Sequence, residues 1–129
     1  MTIKVGLVSI FVNDPNAAHA FYTEKLGFVT KMHMPEYHLA IVVSAADPDG
    51  TSVLLEPNGN LGADVFQKAV YDANMPIIVF STEDIQAEYE RLKGQGVTFR
   101  QEPTKEDYGT VAMFDDTFGN LIQLMQPPA

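Results

Sequence analysis

The sequence predicts an α+β fold made of two tandem βαβββ modules, and three observations predict it. Short runs with two-residue apolar alternation recur through both halves. Two stretches of helical spacing each open at an aspartate just after such a run. The landmarks also repeat at a nearly constant offset: Asp14 and Asp84 lie seventy positions apart, and Gly50 and Gly119 lie sixty-nine apart. Agreement between two unrelated landmarks points to a duplicated module.

In the first module, residues 4–12 alternate as a strand, with Leu7, Ser9 and Phe11 on one face and Val8, Ile10 and Val12 on the other. The second set is wholly apolar and needs the cover of a helix. Asp14-Pro15 opens that helix, a capping side chain followed by a ring suited to the first helical position. Ala18, Phe21, Tyr22 and Leu26 recur at helical spacing, Gly27 ends the run, and His19 is read as an exposed polar residue of the same helix. Residues 28–34 and 37–44 form a hairpin through Pro35-Glu36, so His33 and His38 flank the turn and are placed to face each other. The turn Asp47-Pro48-Asp49-Gly50 leads into a fourth strand at residues 51–56.

Residues 57–62, Pro-Asn-Gly-Asn-Leu-Gly, break the chain, and residues 63–73 read as a helix with Phe66, Ala69 and Val70 on one side. The reading is therefore a single domain of two modules, residues 1–57 and 75–129, joined by a linker with a short helix at 58–74. The second module repeats the order. Residues 76–81 form a strand, and Asp84 caps a helix that turns Ile85, Tyr89 and Leu92 inward, with Glu88–Arg91 and Glu90–Lys93 pairs on its wet side. Residues 97–101 are a strand, 102–108 a polar loop bordering a cavity, and 109–114 the next strand. The stretch DDTFGNLIQL, residues 115–124, turns through Gly119 into the last strand, where Gln123 is a polar residue on the face of Leu121 and Met125.

At 129 residues the chain is long enough to bury a core without staples, and with no cysteine it has neither disulfides nor thiolate metal sites. Eight basic residues are scattered among seventeen acidic ones, for a net charge of −9. That balance excludes a phosphate-tracking nucleic-acid partner. It suits a cationic or neutral small ligand, and it equally serves solubility. The first residues alternate like a strand and carry no apolar signal segment, so a cytoplasmic protein with no membrane span is expected. There is no G-x-S-x-G elbow, phosphate loop or dinucleotide fingerprint.

The residues Asp14-Pro15 followed by FYTEKLGF (21–28), Asp84-Ile85 followed by ERLKGQGVTF (90–99), and DDTFGNLIQL together resemble the vicinal oxygen chelate superfamily of glyoxalases, bleomycin-resistance proteins, fosfomycin-resistance enzymes and extradiol dioxygenases. The resemblance spans essentially the whole chain. It implies that the modules form a curved, cup-like mixed sheet with helices on its outer face, and that the protein pairs as a homodimer. In the metal-using members it implies a divalent ion held from the first and last strands of each module. Carried onto this sequence, those positions are Leu7, Leu54, Ile77 and Gln123, and three of the four are aliphatic. Hydrocarbon has no lone pair to give a cation, so no metal and no cofactor are expected.

On this basis the sequence reads as a small-molecule binding protein of the glyoxalase/bleomycin-resistance type, sequestering a cationic or aromatic compound without a metal. The expected ligand-binding residues are Ser9, Phe11, His38, Glu56, Ser81, Tyr108 and Gln123, the polar and aromatic groups assigned to the cup and its rim. The alternative is a lyase or dioxygenase of the same superfamily. It would use a displaced divalent metal, or metal-free acid/base catalysis with Glu56 as proton acceptor and Tyr108 or His38 as partner. A third reading is an interaction module whose cup is filled.

Overall fold

In a computed structural model the chain divides into two compact units, Met1–Asp64 and Val65–Ala129. The structure describes residues 2–59 and 61–129. Asn60 of the expected linker thus lies outside the described residues.

The first unit runs β1 (Leu7–Val12), α1 (Pro15–Ala20), a π-helical turn (Phe21–Lys25), β2 (Val29–Met34), a 3-10 turn (Pro35–Tyr37), β3 (Leu39–Val43) and β4 (Ser52–Pro57). Its sheet has the order β1-β4-β3-β2, with β1 parallel to β4 and the other pairs antiparallel. Asp14 caps α1 through the amide of Ala17, and Pro15 occupies the first turn, as the sequence requires. The helix and the π-helical turn after it seat Ala18 and Tyr22 on the sheet face made by Ile10, Val12, Ala40, Val42 and Leu55, all essentially sealed from solvent. Burying that many aliphatic side chains, at about 25 cal/mol per Å² of apolar surface, is the main stabilising term of the unit.

The second unit repeats the scheme with β5 (Ile78–Ser81), α3 (Ile85–Gly94), β6 (Thr98–Glu106), β7 (Gly109–Asp115) and β8 (Leu121–Gln126), in the order β5-β8-β7-β6. Asp84 caps α3 through the amide of Ala87, and Ile85 and Leu92 are buried beneath it. Phe99 lies between Tyr89 and Phe114, with ring centroids 4.7 and 5.6 Å away. The Glu88–Arg91 pair forms at 2.6 Å. Lys93 instead lies over the Tyr89 ring, 5.4 Å from its centroid, and Glu90 accepts from Gln86. Among the described residues, no helix is long and apolar enough to cross a membrane.

The reading of residues 102–108 is corrected here. The polar stretch 102–106 is not a loop but the outer half of β6, and only Asp107 and Tyr108 make the hairpin turn. Pro103 falls inside this strand. It sits where the β6–β7 register shifts, on an edge strand, so its missing N–H breaks no regular ladder bond. In α2 (Ala63–Asp72) the apolar Phe66 is 59 % exposed while Gln67 is 5 % exposed.

The Gln67 amide donates to the Phe118 carbonyl at 3.2 Å and to Asn120 Oδ1 at 3.0 Å. Asp116, fully buried, in turn accepts from the amides of Phe118 (2.7 Å) and Asn120 (3.1 Å) and from Asn120 Nδ2 (2.9 Å). Gly119, at φ +103°, leaves its Cβ position to the Gln67 side chain, 2.7 Å away. We expect Gly119→Ala to destabilise the protein by about 2 kcal/mol in urea unfolding, because both the backbone angle and the Gln67 contact oppose a methyl group. Gly94→Ala, in helix with nothing within 4 Å of its Cβ position, should lose nothing.

Candidate functional site

Strand alternation divides each sheet into a face covered by a helix and a face without one. On the helix-free face of the first sheet, β1 presents Leu7, Ser9 and Phe11 and β4 presents Ser52, Leu54 and Glu56, with Ser9 beside Leu54 and Phe11 beside Glu56. Ile41 of β3 lies opposite Leu54, and Met32 of β2 lies opposite Ile41. Three of the expected ligand residues, Ser9, Phe11 and Glu56, thus share this face. Leu7 and Met32 on it are 46 % and 45 % exposed. The half-buried Glu56 carboxylate makes no hydrogen bond or ion pair with any other described residue.

The equivalent face of the second sheet carries Val79 beside Gln123 and Ser81 beside Met125, with Met113 on the other side of Gln123. Ser81 and Gln123 therefore also share one face. Its far end holds Asp115, which accepts from the Tyr71 hydroxyl at 2.5 Å and lies 3.8 Å from Arg100. That hydrogen bond, and next burial, hold the Tyr71 phenol above its ordinary range. The arrangement clamps the end of α2 to β6 and β7 and commits the Asp115 carboxylate to Tyr71, Arg100 and the Thr117 amide.

Two expected residues sit elsewhere. Tyr108 is exposed at the tip of the β6–β7 hairpin, and His38 is exposed in a left-handed conformation after the 3-10 turn. His33 consequently pairs not with His38 but with His19, whose ring stacks on it at 3.9 Å. His33 Nε2 donates to Asn16 Oδ1 (3.1 Å), because the Asn16 amide nitrogen is engaged with the Pro35 carbonyl, and His19 Nε2 meets Thr30 Oγ1 at 2.8 Å. This cluster pins β2 to α1 beside a bulge between Thr30 and Met32. Stacked rings direct their lone pairs along nearly parallel planes, which does not suit a shared metal ion. Asn16, His19, Thr30 and His33 were legible only as polar residues at spacings that face one another across a helix and a strand.

The positions carried over for a metal do not fit one. Leu7 and Leu54 are hydrocarbon, their cross-strand neighbours Ser52 and Ser9 add only hydroxyls, and Gln123 stands beside Val79 and Met113. No group of three His, Cys, Asp or Glu side chains suited to a metal ion occurs among the described residues. Taken separately, each helix-free face offers apolar, thioether and hydroxyl contacts, to which the second adds an amide and the first a carboxylate with no partner among the described residues.

Comparison with known proteins agrees with this architecture. The family model described as Glyoxalase/Bleomycin resistance protein/Dioxygenase superfamily matches residues 4–124. The protein YurT of Bacillus subtilis (strain 168) is 48 % identical over 126 residues, covering 96 % of this chain and 99 % of its own. Among solved structures, UcmS2 superposes with a TM-score of 0.80 at 34 % identity, over 97 % of this chain and 98 % of that one. TnmS3, an antibiotic binding protein from Streptomyces sp. CB03234, superposes with a TM-score of 0.77 at 29 % identity, over 99 % of each chain.

Burial, then the neighbouring His33, hold His19 below the ordinary histidine value of about 6.5, with Glu24 opposing. The unfolded chain then takes up this proton first as pH falls, so stability is lost from about pH 6.5 down to the folded-state value. We expect His19→Gln to flatten the fall in urea midpoint between pH 7 and pH 5. An unchanged slope would assign the fall to other groups.

Proposed function

The chain belongs to the glyoxalase/bleomycin resistance protein/dioxygenase superfamily, and we propose that it works there by capture, binding a small cationic or aromatic molecule reversibly and without a metal. The observation that carries this reading is the replacement of donor atoms by hydrocarbon at Leu7, Leu54 and Ile77, on faces that keep Ser9, Phe11, Glu56, Ser81 and Gln123 for contact with a ligand. The similarity to TnmS3 supports it, since that protein binds an antibiotic. The methionines beside Gln123 support an aromatic guest, because thioether sulfur packs well against ring edges and adapts to shape.

Proton-transfer catalysis at Glu56 is the weaker reading. The partner groups such a step would use, Tyr108 and His38, are exposed at turns, and the cross-strand neighbour of Glu56 is the phenyl ring of Phe11. The proposal includes His38 and Tyr108 as rim contacts, a homodimeric assembly and a cytoplasmic setting.

Calorimetry against a panel of polycyclic aromatic and polyamine-bearing antibiotics tests the proposal. We expect saturable binding that raises the melting temperature, by an amount equivalent to about 2.7 kcal/mol at a hundredfold excess over Kd. Dialysis against EDTA should leave the affinity unchanged, and the compound should be recovered intact by mass spectrometry. Binding that needs an added divalent ion, or recovery of a chemically altered compound, would overturn the capture reading.

A further inference from the structure

The helix-free face of the first sheet carries two charges, and neither is neutralised by another described residue. One is the Glu56 carboxylate beside Phe11. The other is Lys31, the residue passed over where the β2–β3 register shifts between Thr30 and Met32. Its Nζ reaches Ser52 Oγ of β4 at 3.1 Å, so its stem lies across the intervening strand β3. Ser52 is buried, at 1 % exposure, and is an uncharged partner. Neither Lys31 nor Glu56 forms an ion pair with any described residue, although acidic residues outnumber basic ones seventeen to eight.

Ser52 and Glu56 are four residues apart on β4, which at about 3.3 Å per strand residue separates the two charged ends by roughly 13 Å. Between them the face is Leu54, Ile41 and Met32, with the Ser9 hydroxyl at one side. Opposite charges that far apart do not quench each other. Each stands against apolar surface, where a complementary ligand group gains more than it would in open water.

Resting on the capture reading, we infer that this face selects a dipolar ligand: a flat apolar body with a protonated amine at the Glu56–Phe11 end and a carboxylate or other oxyanion at the Lys31–Ser52 end. The amine meets the Glu56 carboxylate and the face of the Phe11 ring, a pairing that favours compact cations. The oxyanion accepts from the Lys31 ammonium, which the buried Ser52 oxygen holds in place by accepting from it. The second sheet repeats the basic residue at its own register shift, Arg100, but that side chain is taken up by Asp115 and Tyr71, and the equivalents of Phe11 and Glu56 are Ser81 and Met125.

Four biphenyl probes test the inference by calorimetry: unsubstituted, 4-aminomethyl, 4-carboxylate, and the compound bearing both groups at opposite ends. We expect the two-ended probe to bind the wild-type protein on the order of tenfold more tightly than either one-ended probe. Glu56→Gln should remove only the advantage of the amine, and Lys31→Met only that of the carboxylate. If all four bind alike, or if both variants weaken every probe equally, the dipolar reading fails while capture stands. If none binds and the antibiotic panel also fails, capture itself falls.

Discussion

The helix-free faces depend on what happens at the opposite faces. A strand shows its two sides alternately, so fixing Ile10, Val12, Ala40, Val42 and Leu55 beneath α1 leaves Ser9, Phe11, Leu54 and Glu56 no choice of direction. A one-residue slip of β4 would exchange Leu55 for Glu56 against the helix and bury a carboxylate in hydrocarbon, at a penalty of several kcal/mol. Register is therefore held by the core, and the orientation of the polar side chains follows from it. The same logic in the second unit sets Ile122 and Leu124 toward α3 and leaves Gln123 on the other side.

Where the core does not reach, polar knots take over. The turn into β8 is closed by the buried Asp116 carboxylate and by Gln67 of α2, and only a glycine at 119 leaves room for that amide. In the first unit the edge strand β2 is less deeply packed, and it is tied to α1 by the stacked His19–His33 pair with Asn16 and Thr30. A bulged edge strand resists pairing with a stray chain, and here the bulge also sends Lys31 across the sheet.

Much of this architecture was legible in the residues. Asp14-Pro15 and Asp84 announced both helices, since a side-chain cap is a local device that tertiary packing seldom overrides. Alternation gave the strand faces, and the repeat at sixty-nine to seventy positions matched the two sheets. The failures share one cause, which is that partners distant in sequence decide them. Helical periodicity set Phe66, Ala69 and Val70 on one side of α2 but not which side is buried, and the acceptors waiting at Phe118 and Asn120 bury Gln67. Pro103 and its charged neighbours looked like a loop until β7 supplied a shifted register to accommodate them. His33 was assigned to His38 by proximity in sequence, but the left-handed residue after the 3-10 turn carries His38 away, and α1 supplies His19.

Duplication makes the chemistry of the faces easier to interpret, because each position has an internal counterpart. Leu54 corresponds to Gln123, Glu56 to Met125, and Phe11 to Ser81, and the register neighbours correspond as well. If these strands served packing alone, selection for volume would keep both copies aliphatic, and a half-buried carboxylate with no partner among the described residues would be eliminated first. One copy instead retains a charge and an aromatic ring, and the other an amide flanked by valine and methionine. The two faces have diverged in hydrogen-bonding character while keeping the same backbone register. A surface under pressure to recognise something asymmetric would diverge in this way, whereas a symmetric ion clamp would hold its donors alike in both modules.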